Sequence, residues 1–290
     1  MKKCLGMMQY FEVIKKYDPF NILGMDKATD RIIKAVNNRE RIIIYGYNDL
    51  DCITGISLLL LVLKYLNADV EYIIPDRVID NRNLSSEIIK NHIYFLDASL
   101  IITVGCGINS SEEVELCKKL GIDVIISDYN LCLSTLPNTI IVDTNQQNCP
   151  YEYKNLSGSG TAFKIIQAIA SYYKMKCMKF VDLAAIGTIS QLNEISGENR
   201  IIVEQGIAHI NKTDNYGIKA LLKLHKVSEV TLENVSLLFL NLKLFLDENA
   251  RINNSKIAVE LFTTSNYDRA KQIAKYLNKD NQYQFHNIIS

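Results

Sequence analysis

Asp49 and Asp51 stand two residues apart in Tyr45-Gly46-Tyr47-Asn48-Asp49-Leu50-Asp51, directly after the apolar run Arg41–Tyr45. Paired carboxylates just past a strand suit a divalent cation, because hard cations take oxygen ligands. The same two residues would also serve as caps of the helix that begins near Ile53, since an N-cap aspartate accepts a hydrogen bond from a backbone N–H. The D-x-D spacing alone leaves both roles open. Two further polar segments follow apolar runs in the same way: Val104-Gly105-Cys106-Gly107 and Ser127-Asp128-Tyr129-Asn130.

The elements that must position these residues alternate. β-rich runs occur at Arg41–Tyr45, Val70–Ile74, Leu100–Val104, Val124–Ile126 and Thr139–Val142, and helical periods separate them at Ile53–Leu66, Ser85–Asn91 and Ser110–Leu120. Strands that are apolar on both faces and alternate with helices predict a parallel sheet covered on both sides. Sites on such sheets lie outside the carboxyl ends of the strands, where the three polar segments fall. Two helices, roughly Met8–Tyr17 and Asp26–Asn37, precede the first strand. After Pro150 the pattern turns helical: Thr161–Tyr173, Lys179–Gln191, Arg200–Ile210, Gly217–Lys223, Thr231–Leu246, and a final stretch with Tyr267, Ala270, Ile273, Ala274 and Leu277 on one face. The expected fold is therefore α/β, a parallel sheet flanked by helices and followed by an all-helical extension. The expected organisation is N-terminal helices over 1–40, an α/β core over 41–195, a helical extension over 196–262 and a linker-type helix over 263–290.

Composition bounds the rest. The 290 residues carry 32 Lys+Arg against 32 Asp+Glu, so no net charge draws the chain toward nucleic acid or an anionic membrane. Any nucleic-acid contact must come from a local patch. At 48% hydrophobic and 22% charged residues, the chain is globular rather than disordered. Seven cysteines, an odd number with no C-x-x-C pair, argue against a disulfide framework or a zinc knuckle. With no signal-peptide pattern, reduced thiols and a cytoplasmic location are expected. The apolar run Ile53–Leu63 is too short to cross a membrane.

The segment Ile44-Tyr45-Gly46-Tyr47-Asn48-Asp49-Leu50-Asp51-Cys52-Ile53-Thr54-Gly55 resembles the first motif, Y-G-D-x-D-x-D-G-I-T-G, of the RecJ-like branch of the DHH phosphoesterase superfamily. The likeness continues in order through Ile74-Pro75-Asp76-Arg77, Val104-Gly105-Cys106-Gly107-Ile108 against V-D-C-G-I, and Ser127-Asp128-Tyr129-Asn130 where the family has D-H-H. Gly158-Ser159-Gly160-Thr161-Ala162-Phe163-Lys164, Gly187-Thr188-Ile189-Ser190-Gln191, Gly197-Glu198-Asn199-Arg200 and Asn249-Ala250-Arg251-Ile252 extend it. The resemblance implies a DHH phosphoesterase core, a metal-dependent phosphodiesterase chemistry with two Mn²⁺ or Mg²⁺ ions, and single-stranded DNA as substrate. It also implies a later DHH-associated domain, which this sequence is expected to lack.

Carried over residue by residue, the implied ligands are unevenly present. Asp49 and Asp51 remain. The bridging aspartate of the second motif falls on Gly105, the D-H-H histidines on Tyr129 and Asn130, and a final aspartate on Gln191. The outermost aspartate of the first motif falls on Tyr47, and its glycine on Cys52. Two divalent ions ~3.5–4 Å apart repel by on the order of 17 kcal/mol at an effective dielectric near 20, so intervening anionic ligands are essential. Asp49 and Asp51, with Asp128 behind them, would hold no ion or one weakly bound ion. Zinc on Cys52 and Cys106 beside the aspartates is a weaker alternative. Arg77, Lys164, Arg200 and Arg251 occupy positions resembling the basic residues around the family cleft. The expectation is a catalytically inactive relative that binds single-stranded nucleic acid or scaffolds a replication, recombination or repair protein, with no membrane partner. The alternative is a divergent metal-dependent 5′-3′ exonuclease or phosphodiesterase.

Overall fold

The computed structural model describes residues 17–75, 82–133, 135–191, 195–236, 238–239, 242 and 252–278. Five strands form one sheet: β1 Ile42–Gly46, β2 Val70–Ile73, β3 Leu100–Val104, β4 Asp123–Ser127 and β5 Ile140–Val142. Their order is β2-β1-β3-β4-β5 and every pairing is parallel. Ile44 pairs with Tyr72 on one side and Ile102 on the other, and Ile126 pairs with Ile141. Every residue of β1 and β3 is buried, as the unbroken apolar runs Ile42-Ile43-Ile44 and Leu100-Ile101-Ile102 require of strands covered on both faces.

Helix α1 (Met25–Asn38) precedes the sheet, and α2 (Leu50–Tyr65) connects β1 to β2. The apolar period alone places the start of α2 near Ile53. The Asp49 cap sets it three residues earlier. Helix α3 opens at Ser86–Ile88 and continues through wide and then narrow turns to Leu96, longer than the expected Ser85–Asn91. Ile89 and Ile93, four residues apart, are buried along that path, and Asp97 in the left-handed conformation ends it. Helix α4 (Ser111–Lys119) joins β3 to β4.

Among the described residues no strand follows β5. It is followed by helices α5 (Gly158–Tyr173), α6 (Val181–Gln191), α7 (Gly197–Ile210), α8 (Tyr216–Leu224), α9 (Ile252–Thr263) and α10 (Tyr267–Leu277). Helix α2 is apolar all round because it is enclosed: it packs against α5, α6 and α9 as well as β1 and β2. A side chain at Gly187 would collide with Thr54 and Ser159, so this glycine lets α6 approach α2 and α5 closely. Helix α10 buries Ala270, Ile273, Ala274 and Leu277, the face expected from the sequence, and packs on α8 and α9. Helix α9 gives no clear signal in the sequence, because its start, Ile252-Asn253-Asn254-Ser255, holds residues that favour caps and turns over helix interiors. The expected helix near Met8 lies outside the described residues, and so does part of the one over 231–246, in which Val235, Ser236, Leu238, Phe239 and Leu242 are helical.

Candidate functional site

From β1 the chain turns to β2 on one side, whereas β3 leads to β4 on the other. The order β2-β1-β3-β4-β5 therefore opens a crevice at the carboxyl ends of β1 and β3, the place where such sheets bind ligands. Asp49, Gly105 and Asp128 all leave strands at this end.

Asp49 is the N-cap of α2. Its Oδ1 accepts a hydrogen bond from the Cys52 N–H at 2.9 Å and a longer one from Gln191 Nε2 at 3.4 Å. Asp51, in the first turn of α2, is fully buried and reaches across to α5. Its Oδ2 accepts from the Gly158 N–H at 2.7 Å and its Oδ1 from the Ser159 N–H at 2.8 Å. These are the first N–H groups of α5, which have no partner within their own helix. Burial, with Asp49 adding, pushes the Asp51 carboxyl up to about 6, against the pull of the Ser159 and Gly158 bonds.

A residue that sequence reasoning missed lies between these groups. The Arg82 Nη2 sits 2.5 Å from Asp49 Oδ2 and 2.8 Å from Cys52 Sγ, while Nε donates to the Gly105 carbonyl at 3.0 Å. The guanidinium lies over the Tyr47 ring, 5.1 Å from its centroid. No motif contains Arg82. It follows β2 by several residues and is brought to Asp49 only by the course of the chain before α3.

Gly105 has φ +63°, a conformation glycine favours. A Cβ there would lie 3.0 Å from Cys52 Sγ, 3.2 Å from the Tyr129 ring and 3.9 Å from Arg82 Nη2. The Tyr129 ring thus occupies the crevice beside Gly105. Tyr47, by contrast, turns its hydroxyl to the Asn83 carbonyl at 2.7 Å. Asp128 accepts from the Ile108, Tyr129 and Asn130 N–H groups at 3.0, 2.8 and 3.1 Å, and from Asn130 Nδ2 at 2.6 Å. It is a clamp between the loops after β3 and β4. Burial raises the Cys52 thiol well above its usual range, and its S–H faces the Val104 carbonyl at 3.1 Å.

These residues do not fit a divalent ion. Both oxygens of Asp51 and of Asp49 are engaged within the fold, and a cation already sits on Asp49. An ion sharing Asp49 with Arg82 at ~4 Å would be repelled by on the order of 8 kcal/mol at an effective dielectric near 20. Among the described residues no three His, Cys, Asp or Glu side chains are placed to hold a metal. Asp49, Asp51 and Asp128, expected to hold no ion or one weakly bound ion, serve in the structure as two helix caps and a loop clamp.

The basic residues separate. Lys164 is interior: its Nζ lies 2.7 Å from Glu198 Oε1 and 2.5 Å from the Tyr17 carbonyl, with the side chain 3% exposed. It therefore cannot reach a phosphate, which corrects its assignment to the cleft. Arg200 is exposed on α7 and pairs with Glu204 at 2.7 Å. Arg77 and Arg251 lie outside the described residues.

The parallel sheet with carboxylates at its switch point makes the chain an α/β protein whose candidate site lies at the carboxyl ends of the strands. Residues 41–188 match the DHH family, N-terminal domain, and the chain belongs to the DHH family as a RecJ-like member. It is 36% identical to the single-stranded-DNA-specific exonuclease RecJ of Bacillus subtilis (strain 168) over 272 residues, 92% of this chain and 34% of that protein. Against the protein of the same name from Escherichia coli (strain K12) it is 30% identical over 274 residues, 89% of this chain and 47% of that one. The chain thus spans half the length or less of these curated relatives. Two solved structures share the fold at 24% identity. Exonuclease RecJ bound to manganese matches with a TM-score of 0.81 over 91% of this chain and 67% of that one. RecJ in complex with Mn²⁺ from Thermus thermophilus gives 0.78, over 91% and 38%. Among the described residues no helix is long and apolar enough to cross a membrane.

Proposed function

We propose that this chain binds single-stranded nucleic acid, or scaffolds a replication, recombination or repair protein, without cutting a phosphodiester. The observation that carries the reading is the state of Asp49 and Asp51: each is present, and each is consumed by the fold itself. The positions that the family resemblance assigns to other ligands hold Gly105, Tyr129 and Gln191, and only Gln191 reaches Asp49, as a donor. Single-stranded DNA enters from the names of the curated relatives. Those names also support the second reading, a divergent metal-dependent 5′-3′ exonuclease or phosphodiesterase.

A 5′-labelled single strand incubated with the protein and Mn²⁺ distinguishes the two. We expect the strand to remain intact and to be retained by the protein, with affinity falling steeply as salt rises. Mn²⁺-dependent shortening of the strand that Asp49→Ala abolishes would establish the nuclease instead.

A further inference from the structure

We propose that the Arg82 guanidinium is the resident cation of the crevice, a built-in replacement for a divalent ion that ties the ends of β1 and β3 together and keeps metal out. The inference rests on the non-hydrolytic reading of the same site and goes further, by naming what occupies it and what that occupant does.

Arg82 is held from several sides. Its side chain bridges Asp49 at the exit of β1, Cys52 in the first turn of α2 and the Gly105 carbonyl at the exit of β3. Its own carbonyl accepts the Gly107 N–H at 3.1 Å, so its main chain is fastened to the β3 exit loop as well. Tyr47 lies under the guanidinium and anchors the next residue by donating its hydroxyl to the Asn83 carbonyl. Arg82 adopts φ +53°, uncommon for a side chain of this size, and the surrounding bonds hold it there.

The chemistry of the partners selects a guanidinium over a metal. They are one carboxylate oxygen, one peptide oxygen, a protonated sulfur and an aromatic face. Mg²⁺ demands near-octahedral oxygen ligands, and Mn²⁺ likewise suits carboxylate, carbonyl and water oxygens. A planar fork of N–H donors matches this set, with the delocalised charge facing the ring. The absence of a side chain at Gly105 is part of the same arrangement, because a Cβ there would press on Cys52 and Tyr129 and stand next to the guanidinium. Arg82 also supplies the positive charge that Asp49 needs with Asp51 two residues away.

Thermal unfolding of the full chain tests this. We expect the wild-type Tm to be the same in millimolar MnCl₂ and in EDTA. Arg82→Gln, which keeps much of the length and loses the charge, should unfold about 5–10 °C lower, and Arg82→Lys should lie between it and wild type. Arg82→Ala should regain Tm in low-millimolar guanidinium, at concentrations that leave wild type unmoved, and should not regain it in the same concentration of MnCl₂. A wild-type Tm raised several degrees by Mn²⁺ would overturn the proposal, and so would an Arg82→Gln protein as stable as Arg82→Lys. Should Arg82→Ala not fold, the Gln and Lys variants and the wild-type response to Mn²⁺ decide. Failure of the chain to retain single strands, with these shifts as expected, would sink the functional reading alone. An uncut, retained strand with Arg82→Gln equal to Arg82→Lys would sink this inference alone.

Discussion

Lys164 of α5 and Glu198 of α7 meet at 2.7 Å with side chains 3% and 5% exposed, and Tyr151 donates its hydroxyl to the other Glu198 oxygen at 2.6 Å. The pair ties α5 to α7, and the Tyr17 carbonyl takes a further Lys164 bond. Removing one partner strands a buried charge, whereas removing both leaves an apolar contact.

Lys164→Met should therefore destabilise the fold by roughly 3–5 kcal/mol, and Lys164→Met with Glu198→Leu should recover most of the loss. Urea unfolding measures both. The double variant should match wild type in the single-strand retention assay, since neither side chain faces solvent.

Asp51→Ala should cost about 2–4 kcal/mol, because it leaves the Gly158 and Ser159 N–H groups without an acceptor inside the protein. The loss should be the same in EDTA and in Mn²⁺. A difference between the two would mean that Asp51 spends part of its time on a metal.

Much of this framework was legible in the sequence. The five strands were, because runs such as Ile42-Ile43-Ile44 admit no other element at that length between helical periods. Helix capping by Asp49 was also open to reading, since its partner Cys52 is three residues away. The Asp51 cap was not: its partners Gly158 and Ser159 are more than a hundred residues downstream, and nothing local distinguishes a carboxylate that caps a distant helix from one that binds an ion. Lys164 misled for a similar reason. A lysine among apolar helix residues looks like a cleft cation until Glu198 is known to be opposite it. Arg82 had no signal, because its partners come from β1, α2 and the β3 exit, and no spacing connects them.

Asp143, buried at the end of β5, contributes to the pH dependence alongside Asp51. Burial pushes its carboxyl up to about 7, opposed by the Asn145 N–H at 2.7 Å. Because the native value lies above the unfolded one, the native chain holds a proton that the unfolded chain has released. Stability from this group is complete below about pH 4 and is lost as pH rises through 7. Asp143→Asn, which can keep the Asn145 bond, should reduce the fall in stability by up to about 1.4 kcal/mol per pH unit across that window. Urea midpoints from pH 4 to 8 would check it.

Restoring the side chains implied by the family should not be enough to restore metal binding. Gly105→Asp with Tyr129→His and Gln191→Asp should leave the protein without measurable Mn²⁺ affinity by calorimetry while Arg82 remains. Adding Arg82→Ala should bring affinity in. Gly105→Asp alone should destabilise by roughly 1–3 kcal/mol, since a side chain there meets both a left-handed backbone and the Cys52 and Tyr129 contacts.

The two helix caps have an evolutionary corollary. Asp49 caps α2 and Asp51 takes the first two N–H groups of α5, so a descendant under selection merely to stay folded has reason to keep both. An aspartate pair in this place is therefore a poor marker of catalytic competence among relatives. The more telling positions are those where the chain gains nothing structural from an acid, Gly105 and Gln191, together with whatever residue the loop before α3 sends into the crevice.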